Sequence, residues 1–93
     1  MKSCLIVEDS KVIRMLARKI LQGLEFDASE AADGREALDA CKAQLPDAVL
    51  LDWDMPVMGG LEFFIELWKL SGGDAPVVVC CTTKTDIKHI QKA

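Results

Sequence analysis

Three runs of apolar residues, Cys4–Val7, Ala48–Leu51 and Val77–Cys81, contain no polar position at all. Continuous runs of this length mark strands buried on both faces of a sheet. A fourth segment, Phe26–Ala31, mixes small and polar residues and reads as an edge strand. Between these runs the apolar positions change period. Ile13, Leu16, Ala17, Ile20 and Leu24 recur at helical spacing, with Ser10 placed to cap the helix and Gly23 where it would stop. Beyond the Asp33-Gly34 turn, Ala37, Leu38, Cys41 and Leu45 form a second helical face that Pro46 ends. Leu61–Leu70 is a third helix, in which Phe63, Phe64 and Trp68 read as core and flank, and Ser71-Gly72-Gly73 closes it. Thr85 or Asp86 caps a fourth helix starting near Ile87. The order βαβαβαβα, with connections too long for hairpins, predicts an α/β fold: a parallel sheet with helices on both faces.

Composition narrows this further. Ninety-three residues make one domain with a modest core. A net charge of -4, with basic residues scattered among acidic ones, argues against nucleic acid as a direct partner. Cys4, Cys41, Cys80 and Cys81 all fall in apolar runs or on an apolar helical face, so they read as core residues in a reducing cytoplasm rather than a disulfide framework. The opening apolar run is far too short for a signal peptide or a membrane span, and a soluble cytoplasmic protein is expected.

The chemistry stands at the strand ends. Asp52 closes one apolar run and is followed by Trp53-Asp54-Met55-Pro56, while Glu8-Asp9 closes another. In parallel α/β sheets the carboxyl ends of the strands are where ligands bind. Asp52 is therefore expected to project into solvent at that edge, beside Glu8 and Asp9. Clustered carboxylates call for a cation. A carboxylate is also a nucleophile toward phosphorus, and Mg²⁺, which takes oxygen ligands, would screen the two negative partners. On this reading Asp9 and Asp52 ligate Mg²⁺ directly, Glu8 reaches it through water, and the backbone carbonyl of Asp54 adds an oxygen. The Thr82 hydroxyl would bond a phosphoryl oxygen.

At Ile6-Val7-Glu8-Asp9-Ser10, Asp52-Trp53-Asp54-Met55-Pro56-Val57-Met58-Gly59-Gly60 and Cys81-Thr82-Thr83, the chain resembles the receiver domains of two-component response regulators, especially stand-alone, chemotaxis-type (CheY-like) receivers. The middle block fits the family pattern D-x-x-M-P-x-M-x-G throughout. The resemblance implies a flavodoxin-like doubly wound sheet of order 2-1-3-4-5. It implies Asp52 as phosphoacceptor, Glu8 and Asp9 as the acidic pair, and Thr82 as the switch hydroxyl, with Thr83 its adjacent alternative. The phosphodonor would be a sensor histidine kinase or a histidine phosphotransfer protein, and the output a contact with a downstream protein. Val12 and Met15, on the first helix, would face the donor.

The family pattern continues with a fifth strand ending in Lys-Pro and a fifth helix, whereas this sequence stops at Ala93. The expectation is a receiver over residues 1–93 that is incomplete at its C-terminus. Val77–Cys81 then becomes an exposed apolar edge, part of the first helix's apolar face is uncovered, and dimerisation or segment exchange follows. Two other functions would draw on the same residues. One is a phosphorylation-independent interaction module on the same fold. The other is a haloacid dehalogenase-type phosphohydrolase, which also uses a strand ending in D-x-D but wants Thr or Val where this chain has Pro56. His89, the single histidine, reads as a surface residue.

Overall fold

The structure is a computed structural model that describes residues 2–52, 58–70, 72 and 75–81, with Cys81 described by its backbone alone. Four five-residue strands alternate with three helices: β1 (Ser3–Val7), α1 (Lys11–Gly23), β2 (Asp27–Ala31), α2 (Gly34–Ala43), β3 (Ala48–Asp52), α3 (Gly60–Lys69) and β4 (Val77–Cys81). The strands form one parallel sheet of order β2-β1-β3-β4. This is the expected flavodoxin-like order as far as the described residues run. The helix expected near Ile87 lies outside them.

Alternation along the strands divides the sheet into two faces. Leu5, Val7, Val49 and Leu51 point to one face and meet Ala37, Leu38 and Cys41 of α2 and Phe63 and Leu67 of α3. Phe63 and Leu67 are fully buried, each worth roughly 1.5–3 kcal/mol of transfer free energy. Phe64 flanks this core and stacks edge-on against the exposed Trp68, ring centroids 5.9 Å apart.

The opposite face is thinner. Ile6 and Leu50, with Ile13 and Ala17 of α1, line a cavity of about 90 Å³ that Glu8 and Asp52 also border. No residue of α1 is fully buried. Leu16, Ile20 and Leu24, which share the helical period of a core-facing stripe, are 57%, 65% and 65% exposed. Their periodicity is genuine, but Ile13, Ala17 and Leu21 are the apolar residues of α1 that are half-buried. β4 is an edge strand of the described sheet, and Val77 and Val79 are exposed on it. Cys80 is exposed too, against the expectation that every cysteine is core, because an edge position leaves it uncovered. Cys4 and Cys41 are buried as expected.

The end of α1 also differs in detail. Gly23 stays helical, and the left-handed residue is Glu25, at φ 67°. The Phe26 N–H donates to the Leu21 carbonyl (2.9 Å) and the Glu25 N–H to the Gln22 carbonyl (3.0 Å), a doubly bonded helix stop. Glycine would be the cheaper residue at that φ.

Candidate functional site

β1 and β3 are neighbours, with Val7 opposite Leu51. Their carboxyl ends therefore emerge side by side, Glu8 just past one and Asp52 as the last residue of the other. Glu8, Asp9 and Asp52 each present a carboxylate oxygen, and these oxygens all lie within 4.8 Å of one another. The strand-end pattern predicts this meeting of three acids, and the structure makes it.

Their exposure departs from the expectation. Asp52 is 2% exposed and Glu8 3%, with Asp9 between buried and exposed. Asp52 does not project into solvent, because it still belongs to β3 and pairs with Cys81 on β4. Glu8 is as deep as Asp52 rather than an outlying member. Burial pushes the Glu8 carboxyl up to about 7. Hydrogen bonding to Asp9 and Asp52 and the negative charge of Asp52 add to the rise, while the Ser10 N–H bond opposes it. Like charges are thus held close in a site that water scarcely reaches. Three carboxylates are hard oxygen donors, the set that suits Mg²⁺.

The loop carrying Glu8 and Asp9 is fastened on several sides. The Glu8 N–H donates to the Ala31 carbonyl at 3.1 Å, joining it to β2. The Ser10 N–H donates to Glu8 Oε1 at 3.1 Å, and Ser10 Oγ caps α1 by accepting from the Ile13 N–H at 3.4 Å. Arg14 then reaches back from the first turns of α1, its Nη1 donating to the Glu8 carbonyl at 2.7 Å. The same guanidinium bonds Glu30 Oε1 through Nε at 3.1 Å, and Arg18 Nε bonds Glu30 Oε2 at 2.6 Å. The arginines hold the Glu30 carboxyl below the usual carboxylate range, Arg18 contributing most.

Neither Arg14 nor Glu30 stands out in the sequence. Two arginines one helical turn apart, beside an edge strand carrying a lone glutamate, are the available signal.

On the far side of the site, the start of α2 packs against Met58. The Gly34 N–H donates to the Met58 carbonyl at 3.2 Å, and a Cβ at position 34 would lie 2.6 Å from that oxygen. Asp33 Oδ1 caps the helix by accepting from the Glu36 N–H at 2.9 Å. The segment 53–57, including Asp54, lies outside the described residues, as do Thr82, Thr83 and His89. Among the described residues no helix is long and apolar enough to cross a membrane.

This arrangement has counterparts among known proteins. The profile of the response regulator receiver domain matches residues 4–93. The chemotaxis protein CheY of Halobacterium salinarum is 39% identical over 93 residues, covering 99% of this chain and 75% of the relative. The response regulator MprA of Mycolicibacterium vanbaalenii is 40% identical over 75 residues, covering 81% of this chain. The chain spans about a third of MprA's length, 32%. Among solved structures, the receiver domain of sensor histidine kinase PA1611 from Pseudomonas aeruginosa, with a magnesium ion coordinated in its active site cleft, superposes with a TM-score of 0.85 at 26% identity. That match covers 90% of this chain and 69% of the other.

Proposed function

The chain belongs to the response regulator receiver domain family, and from that membership we propose that Asp52 accepts a phosphoryl group from a phosphohistidine on a kinase or phosphotransfer protein. The observation that carries this is the convergence of Glu8, Asp9 and Asp52 within 4.8 Å at the carboxyl end of a parallel sheet. One Asp52 carboxylate oxygen forms a bond to phosphorus as the phosphorus–nitrogen bond to the donor imidazole breaks, its electron pair leaving with the imidazole. Mg²⁺, when bound, neutralises charge on the incoming phosphoryl oxygens and the acceptor.

The chain's own residues supply position. β3 fixes Asp52, the β1 end fixes Glu8 and Asp9 as ligands, and burial keeps bulk water from the acyl phosphate. The backbone carbonyl of Asp54 is the further oxygen ligand proposed from the family pattern. Thr82 follows directly on Cys81, the strand partner of Asp52, and its hydroxyl is the group proposed to bond the phosphoryl oxygen and switch the surface beyond β4. The domain is then the substrate of phosphoryl transfer rather than a turnover enzyme, and its output is a changed contact with another protein. No observation favours the phosphohydrolase or the phosphorylation-independent module.

Intact-mass spectrometry before and after acetyl phosphate tests the reading. One added phosphoryl group is expected, requiring Mg²⁺ and absent in Asp52→Asn. An adduct that survives in Asp52→Asn, or none in the wild type with Mg²⁺, overturns it.

A further inference from the structure

Arg14 is tied to the main chain that carries two of the three carboxylates. Its Nη1 bonds the Glu8 carbonyl at 2.7 Å and its Nε bonds Glu30 Oε1 at 3.1 Å, so one planar guanidinium spans α1, the β1–α1 loop and β2. Arg14 is only 15% exposed. A rigid fork bonded at both ends and shielded from water holds its partners at fixed spacing, which a surface ion pair does not do.

Other bonds act on the same loop or its anchor at different points. The Glu8 N–H bond to Ala31 fixes where β1 ends. The Ser10 N–H bond to Glu8 Oε1 fixes the Glu8 side chain against the loop. Neither restrains the peptide plane between Glu8 and Asp9. That plane contains the Glu8 carbonyl, and its rotation would swing the Asp9 side chain relative to Asp52. The Arg14 bond pins it, and Glu30 pins Arg14. Arg18 holds only the far oxygen of Glu30, one step further from the loop.

We infer that Arg14, held by Glu30, is a positioning residue for the cation site, setting the angle at which Asp9 meets Asp52 and Glu8. The inference rests on reading those three carboxylates as a cation site. It makes an unequal demand on residues that a purely structural ion pair would not make. Loss of Arg14 weakens Mg²⁺ binding by the amount typical of removing a group that orients a ligand, about tenfold. Loss of Glu30 weakens it nearly as much, and the double variant is no worse than Arg14→Gln, because both act through one guanidinium. Loss of Arg18 leaves Arg14 in place and changes Mg²⁺ affinity by about twofold or less.

The test is a Mg²⁺ titration followed by ¹⁵N-resolved amide shifts on wild type, Arg14→Gln, Glu30→Gln, the double variant, Arg18→Gln and Asp52→Asn. It is run where thermal unfolding shows every variant folded. The expected result is the ordering above, with Arg14→Lys recovering part of the loss. In metal-free Arg14→Gln the Asp9 and Ser10 amide resonances shift as well. Equal Mg²⁺ affinity in wild type and Arg14→Gln, or equal losses in Arg14→Gln and Arg18→Gln, overturns the positioning role while leaving the cation site standing. Failure of the wild type to bind Mg²⁺, or wild-type affinity in Asp52→Asn, overturns the cation site and the positioning role with it.

Discussion

Glu8 makes the fold itself sensitive to pH when no divalent cation is present. Its carboxyl is raised from an ordinary 4.5 to about 7, first by burial and then by its acidic neighbours, a difference corresponding to about 3 kcal/mol. Between those two values the folded protein keeps a proton that the unfolded chain has already released. The stability that Glu8 contributes is therefore full below about pH 4.5, falls as pH rises through the interval, and levels off above about 7. Among the described residues the Asp9 and Asp52 carboxyls and the Ser10 N–H act on Glu8, and the two acids make the ionised form costlier. Urea unfolding with a chelator present, at about pH 5 and about pH 8, should show wild type losing about 2–3 kcal/mol across that range. Glu8→Gln keeps a side-chain carbonyl oxygen for the Ser10 N–H but cannot ionise, so its stability should be nearly flat between the same two points. Saturating Mg²⁺ should restore most of the wild-type loss at the higher pH, because a cation bound only to the folded state adds stability. Equal wild-type stability at both pH values refutes the reasoning, as does a slope of the same size in Glu8→Gln.

Three further changes have signs that follow from geometry. Gly34→Ala places a methyl 2.6 Å from the Met58 carbonyl oxygen and 2.8 Å from Met58 Cγ; thermal unfolding should show a net loss of about 1–3 kcal/mol despite alanine's better helix propensity. Glu25→Gly relieves a left-handed residue at φ 67° and should raise stability by about 0.5–1 kcal/mol in urea unfolding, whereas a loss would show that the side chain contributes there. Glu30→Gln removes a carboxyl that Arg18 and Arg14 hold below its ordinary range. Its stability deficit should be present at neutral pH and close as pH falls through the depressed value, in an acid titration of unfolding; a deficit that persists in acid contradicts the ion-pair origin.

Much of this fold is legible in the chain because β1, β3 and β4 each have a core run without a polar residue and each described helix has its own period. Cys4–Val7 and Ala48–Leu51 can only be interior strands, and the parallel order follows from the intervening helices. The acidic trio is legible for the same reason, since a buried strand that ends in a carboxylate must deliver it to a cation, a proton or water. What periodicity cannot show is how completely a face is covered. Leu16 and Phe63 are equally apolar and equally periodic, yet one is 57% exposed and the other fully buried, because that depends on what lies opposite. The depth of Asp52 is hidden for a related reason: strand membership extends one residue past the apolar run, and pairing with β4 buries it. Arg14 and Glu30 are hidden by ordinariness, as charges on a helix and an edge strand look alike whether they face water or a neighbour.

The pairing of Val7 with Leu51 sets a limit on how this sequence can change. Adjacent strands lie about 4.8 Å apart, so the separation between the acids on β1 and β3 is a length the sheet's own hydrogen bonds dictate. Substitutions elsewhere leave that length alone. Inserting or deleting one residue within β1 or β3 does not, since each such step turns the terminal acid to the other face of the sheet. Lineages descended from this chain should therefore vary in length at the turns by Gly23 and Pro46, and never inside these two strands.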